Sequence, residues 1–228
     1  MGWNLAAALD GMRIIDWSTS STGAWCTRVL ADFGADVIVI EPRTGHPLRA
    51  HVDAEALFTN KRAVALDADE ARGKRIALDL ARRSDVLVVS TSVEELEARG
   101  ITAAVLRRPG LIVAHAPEIS ADAGPGGGYL AGLQAATGIL AALSRRDRHA
   151  GEGTGVVLDG EAAIAGVSLR VQRDAEGPFV LSETPWEVRR AVARPGEHSF
   201  DVLRTVAGVT DDHLMSYFES GVIGTVEP

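Results

Sequence analysis

The sequence predicts an α/β protein with a Rossmann-like, mostly parallel, doubly wound sheet. Three observations carry this. Apolar runs rich in β-branched residues at 36–40, 85–89 and 111–115 suit strands buried on both faces. Segments with helical apolar spacing separate them. The first strand, first helix and second strand fit within about thirty residues, the length of a β-α-β unit with a right-handed crossover.

Each element has a local reason. Residues 9–16 read as a turn feeding a short apolar strand, and 18–23 as a small polar loop. Trp25, Val29, Leu30 and Phe33 repeat at helical spacing over 24–33, and Gly34 is placed to end that helix. The pattern repeats with a strand at 62–66, an amphipathic helix at 70–83, a strand at 85–89, short helices at 93–99 and 103–107, and a fifth strand at 111–115. After Ser120 a glycine-rich connection leads into a helix from 129 to about 146 with a basic end, which suits the helix dipole. Residues 149–155 read as a turn, and 156–171 as strand-then-helix or continuous helix. The stretch 177–195, with Pro178, Pro185 and Pro195, reads as irregular, and helices are expected at 199–206 and 211–220, the second capped by Thr210. We divide the chain into 1–176, the sheet domain, and 177–228, a return segment and helices packing on it.

Composition narrows the function classes. The chain has 228 residues, 46% of them hydrophobic, enough for one core without disulfide staples. The 23 Lys and Arg against 31 Asp and Glu give a formal charge of −8, which argues against a general nucleic-acid surface. No apolar run is long enough to cross a membrane, and residues 1–10 lack the pattern of a secretory signal, so the expectation is a cytoplasmic protein. His46, His51, His115, His149, His198 and His213 are scattered without the spacing of a helical zinc site, so no metal is expected. The one cysteine, Cys26, lies on an apolar helical face and reads as a buried structural thiol.

Two segments offer binding chemistry. Asn60-Lys61-Arg62 puts two cations before a strand and behind Phe58, a corner able to hold phosphate or simply a solvated turn. Glu41-Pro42-Arg43 sits at the carboxyl end of the second strand, where open α/β sheets bind ligands, or is an ordinary exit loop. The glycines 126–128 precede a helix and fit either an anion seat or a hinge.

The order of these segments resembles the family III CoA-transferases, which include formyl-CoA transferase, carnitine CoA-transferase and α-methylacyl-CoA racemase. The resemblance lies in Leu9-Asp-Gly-Met-Arg-Ile-Ile-Asp16, residues 23–38, Val39-Ile-Glu-Pro42, Gly45-His-Pro-Leu-Arg49, Asn60-Lys-Arg-Ala-Val-Ala-Leu-Asp67 and Ser84-Asp-Val-Leu-Val88. It resumes through residues 129–143, 178–185, 194–198 and 221–223. It implies a Rossmann-like CoA-binding domain, an inserted small domain, interlocked dimers, and an aspartate that carries the acyl group as a mixed anhydride. In the racemase branch an aspartate and a histidine act as acid and base at the α-carbon.

The sequence departs from that pattern. Between Gly124-Pro125 and Tyr129 the Gly-Tyr/Phe-Asp motif with the catalytic aspartate is missing, and Asp122, just ahead of that junction, is the nearest substitute. Typical members are nearly twice as long, and the small domain expected after Val171 is missing. Where the family shows Glu-Asn-Phe-Arg-Pro-Gly, this chain has Val89-Ser-Thr-Ser-Val-Glu94, which loses groups that stack on adenine or meet phosphate. By resemblance, the residues expected at CoA are Ser21, Arg43, Asn60, Lys61, Arg62, Ser90 and Arg99. CoA or acyl-CoA is the expected ligand, and a longer CoA-transferase paralogue or a second copy of the chain the expected partner. Three roles follow: an accessory subunit without a nucleophile, a pseudoenzyme that holds CoA or another nucleotide, or an enzyme using Asp16, Glu118 or Asp122. A gene with an internal deletion is the fourth reading.

Overall fold

The computed structural model describes residues 7–102, 110–119, 126–148, 155–157 and 188–224. Among the described residues seven strands form one sheet: β1 (Arg13–Trp17), β2 (Asp36–Glu41), β3 (Lys61–Leu66), β4 (Val86–Val89), β5 (Ile112–His115), β6 (Gly155–Val157) and β7 (Ile223–Gly224). Their order is β6-β5-β4-β1-β2-β3-β7. The first six run parallel; β7 pairs antiparallel with β3 through Ala65↔Gly224 and Leu66↔Ile223. The parallel order is that of a doubly wound dinucleotide-binding fold, as expected.

The helices are α1 (Ser21–Asp32), α2 (Ala54–Phe58), α3 (Ala71–Arg82), α4 (Val93–Ala98), α5 (Gly127–Arg148), α6 (Ser199–Thr205) and α7 (Asp211–Glu219). Successive strand residues point to opposite faces, and β1 shows it. Ile14 joins Cys26, Leu30, Val37, Val88, Ile112 and Ile139 under α1 and α5. Ile15 joins Ile38, Leu66, Leu80, Leu87, Leu203 and Leu214 under α3, α6 and α7. All of these are at most 1% exposed; each such aliphatic side chain contributes about 1.5–3 kcal/mol through burial.

Several boundaries differ from expectation. Helix α1 starts at Ser21, inside the expected loop, because Ser20 caps it: its Oγ accepts from Gly23 N at 2.9 Å. Gly34 follows with φ +109°, the left-handed exit that glycine tolerates. Helix α5 begins at Gly127 because α1 lies against it. A Cβ on Gly132 would stand 2.5 Å from Trp25 Cβ and 2.9 Å from Cys26 N; one on Gly128 would meet Ser21 Oγ at 2.4 Å. Gly128 and Gly132 therefore serve close packing. Thr210 precedes α7 but its hydroxyl caps no backbone group; it meets His213 Nδ1 at 3.1 Å. Helix α2 has no counterpart among the expected elements. The expected helix at 103–107 and most of 149–187 lie outside the described residues.

Candidate functional site

The order in which the parallel strands are laid down reverses between β1 and β4, and the crevice outside their carboxyl ends is the natural ligand position. Hydroxyls stitch its walls together. Thr19 N donates to Ser90 Oγ at 2.9 Å, and the two hydroxyls stand 3.1 Å apart. Ser20 Oγ donates to Ala116 O at 2.6 Å. Ser21, first residue of α1, donates to Glu118 from its N at 2.7 Å and from its Oγ at 2.5 Å. A helix N-terminus favours an anion, and here the anion is the protein's own Glu118 carboxylate.

Behind the crevice, under α1, lies a buried ion pair. Lys61 Nζ donates to Asp16 Oδ2 (3.2 Å), Ala24 O (2.8 Å) and Thr27 Oγ1 (2.7 Å). Asp16 Oδ2 also accepts from Thr27 Oγ1 at 2.5 Å, and Oδ1 accepts from Ser18 N (3.2 Å) and Ser18 Oγ (2.6 Å). Burial pushes the Lys61 ammonium below its ordinary range, and the Asp16 charge works against that shift. Burial, reinforced by Asp16, pushes the Cys26 thiol far above its ordinary range, so Cys26 is the inert internal thiol expected.

A second hub sits at the end of β2. Glu41, 1% exposed, accepts from Arg49 on both oxygens (2.7 and 2.9 Å), from His46 N (2.8 Å) and from Gly196 N (3.1 Å). Arg49 also donates to Ala193 O at 2.7 Å and lies 4.5 Å from the centre of the Phe58 ring. His46 Nδ1 accepts from Leu48 N, so its Nε2 donates to Ser18 O at 2.8 Å.

The seven residues expected at CoA do not converge. Ser21 and Ser90 flank the crevice. Arg43 is exposed after β2, its guanidinium against Gly221 and Gly224. Arg99 ends α4, 3.9 Å from Asp69. Asn60 precedes β3 and Lys61 and Arg62 open it, and all three side chains are engaged internally. Asn60, with φ 63°, donates to Asp32 at 2.8 Å and accepts from Arg189 N and Arg190 N. Arg62 grips Asp36 and reaches Asp201 at 3.3 Å. Among the described residues, the side chains of Thr19, Ser21, Ser90 and Glu118 hydrogen-bond one another and backbone groups, with no cation between them.

Among the described residues, two polar atoms near these loops are buried without a partner: Thr22 Oγ1 in the first turn of α1, and His115 Nε2 at the end of β5. Nothing in the spacing of the histidines singles out His115; its signal in the sequence is a polar residue ending a buried strand. Asp122 lies outside the described residues. Among the described residues no group of three or more His, Cys, Asp or Glu could hold a metal ion, and no helix is long and apolar enough to cross a membrane.

Residues 9–119 match the model of CoA-transferase family III. The chain belongs to that family. It is 31% identical over 223 residues to formyl-CoA:oxalate CoA-transferase of Rhodopseudomonas palustris strain HaA2, covering 77% of this chain and 52% of the relative. With the enzyme of the same name from Streptomyces avermitilis it shares 30% identity over 228 residues, covering 79% of this chain and 55% of that one. A solved hypothetical protein of Mycobacterium tuberculosis, in its orthorhombic form, superposes with a TM-score of 0.63 at 26% identity, covering 72% of this chain and 56% of that one. A CAIB/BAIF family protein from Brucella suis shares the fold (TM-score 0.57, 21% identity, 67% of this chain and 53% of that one). This family III chain thus spans about half the length of these curated relatives.

Proposed function

We propose that the chain is an acyl-CoA-handling subunit of a cytoplasmic, heteromeric family III CoA-transferase, and that a longer paralogue supplies the carboxylate that carries the acyl group. One observation carries the reading: the carboxylate of Asp16, behind the crevice, is locked. A nucleophilic carboxylate must offer an oxygen lone pair to the thioester carbonyl carbon. Both Asp16 oxygens are engaged by Ser18, Thr27 and Lys61, and the side chain is 2% exposed. The sequence step from Gly124-Pro125 to Tyr129, without the family's aspartate motif, supports the same reading. The retained crevice supports a role in holding CoA. The hydroxyls of Ser21 and Ser90 can meet its polar groups, and the α1 N-terminus can meet a phosphate once Glu118 moves aside.

The experiment is co-expression with a full-length family III paralogue encoded nearby, followed by transfer assays on each chain and on the pair. The expected result is co-purification and CoA transfer by the pair only. Transfer between two acids by this chain alone, at an enzymatic rate, overturns the proposal. Binding of CoA by the isolated chain with neither transfer nor a partner replaces it with the pseudoenzyme reading.

A further inference from the structure

We infer that a cleft between α3 and the α6–α7 connection binds a small monocarboxylate with a short apolar tail. The cleft is on the face of the sheet opposite α1 and does not depend on the crevice or its assignment. Its volume is about 80 Å³, and it opens to solvent. Its floor is Ile76, Ala207, Val209 and Tyr217, all packed on the main core. At its mouth stand Arg72 and Arg75, one turn apart on α3 and both exposed.

The charge balance at that mouth is unequal. The carboxylate lining the cleft is Asp79, and Arg82 holds it at 2.8 Å. Among the described residues, no carboxylate pairs with Arg72 or Arg75. Two arginines without an ion-pair partner among the described residues therefore line the cleft beside its apolar side chains. Guanidinium forks bind carboxylates through paired charge-assisted hydrogen bonds, and the floor rewards an apolar tail. Size sets the tail: a cavity of about 150 Å³ holds a benzene ring, so roughly half that volume takes about three carbons. A four-carbon acid, butyrate, places its carboxylate at the arginines and its chain on Val209 and Ile76. The His213 ring lies nearly parallel to that of Tyr217, with centroids 6.2 Å apart.

The test is an amide NMR titration of the whole chain with butyrate, with butanol and chloride as separate arms at matched ionic strength. Butyrate is expected to move the Ile76, Ala207 and Val209 signals saturably while butanol and chloride do not. The double variant Arg72→Gln/Arg75→Gln should weaken butyrate about tenfold or more, the equivalent of one good charge-assisted contact. Both side chains are exposed, so that variant should keep its fold, as circular dichroism will report. Ala207→Leu, which fills the floor and keeps both arginines, should also abolish the shifts. The inference is overturned if butyrate leaves these signals in place, if butanol or chloride reproduces the effect, or if the double variant binds as well as the parent.

Discussion

Lys61 Nζ and Asp16 Oδ2 stand 3.2 Å apart with side chains 1% and 2% exposed, which makes them an internal ion pair of the sheet–α1 interface. Each partner is fully hydrogen-bonded, the condition under which buried charges are tolerated. Removing one strands the other. Lys61→Met should therefore cost about 3–5 kcal/mol in urea unfolding. The double variant Lys61→Met/Asp16→Leu should recover much of that loss, because a matched apolar pair replaces a matched ionic one. A single variant as stable as the parent would show that the pair is not what holds α1 on the sheet.

Glu118 occupies the N-terminal end of α1, where a phosphate of CoA would sit under the proposed function. Glu118→Gln keeps the shape and removes the charge, so the affinity for CoA should rise several-fold. Calorimetric titration of the isolated chain reads this directly. Unchanged or weaker affinity would mean that phosphate does not approach α1.

His198 sits against β3, its N donating to Ala63 O at 3.0 Å. Burial, together with Arg62 and Arg190, lowers its pKa below 6.5, while Glu197 and Asp201 oppose the shift. The folded state then binds the proton less readily than the unfolded chain. The contribution is fully present above pH 6.5 and is lost as pH falls below it toward the folded value. Denaturation midpoints should drop between pH 7 and pH 5, and the drop should shrink in His198→Gln.

Gly132 lies where α5 touches α1, and an added methyl has no room there. An exposed helix interior would gain about 1 kcal/mol from Gly→Ala. Here the expected outcome is the reverse, a loss of about 1–3 kcal/mol from overpacking. Thermal unfolding of Gly132→Ala decides the sign.

Local chemistry was readable from the sequence and long-range chemistry was not. The parallel strands, the helices between them and the burial of Cys26 follow from periodicity that each segment carries itself. Lys61 is the counter-example. Beside Arg62 and behind Phe58 it reads as a cation offered to a ligand, yet it turns inward to Asp16, forty-five residues earlier. Glu41 shows the same limit. Its acceptance of Gly196 N, 155 residues away, leaves no trace in either segment. Helix α2, five residues long, and β7, two residues long, are too short for a period to declare itself.

The antiparallel strand β7 covers the outer edge of β3 with residues 223 and 224, and residues 193–196 fasten the end of β2 from the same late part of the polypeptide. During translation, β1 to β3 leave the ribosome long before these covers are made. The nascent sheet therefore waits with an open flank through most of synthesis, a window in which chaperone binding or strand-on-strand aggregation competes with completion of the domain.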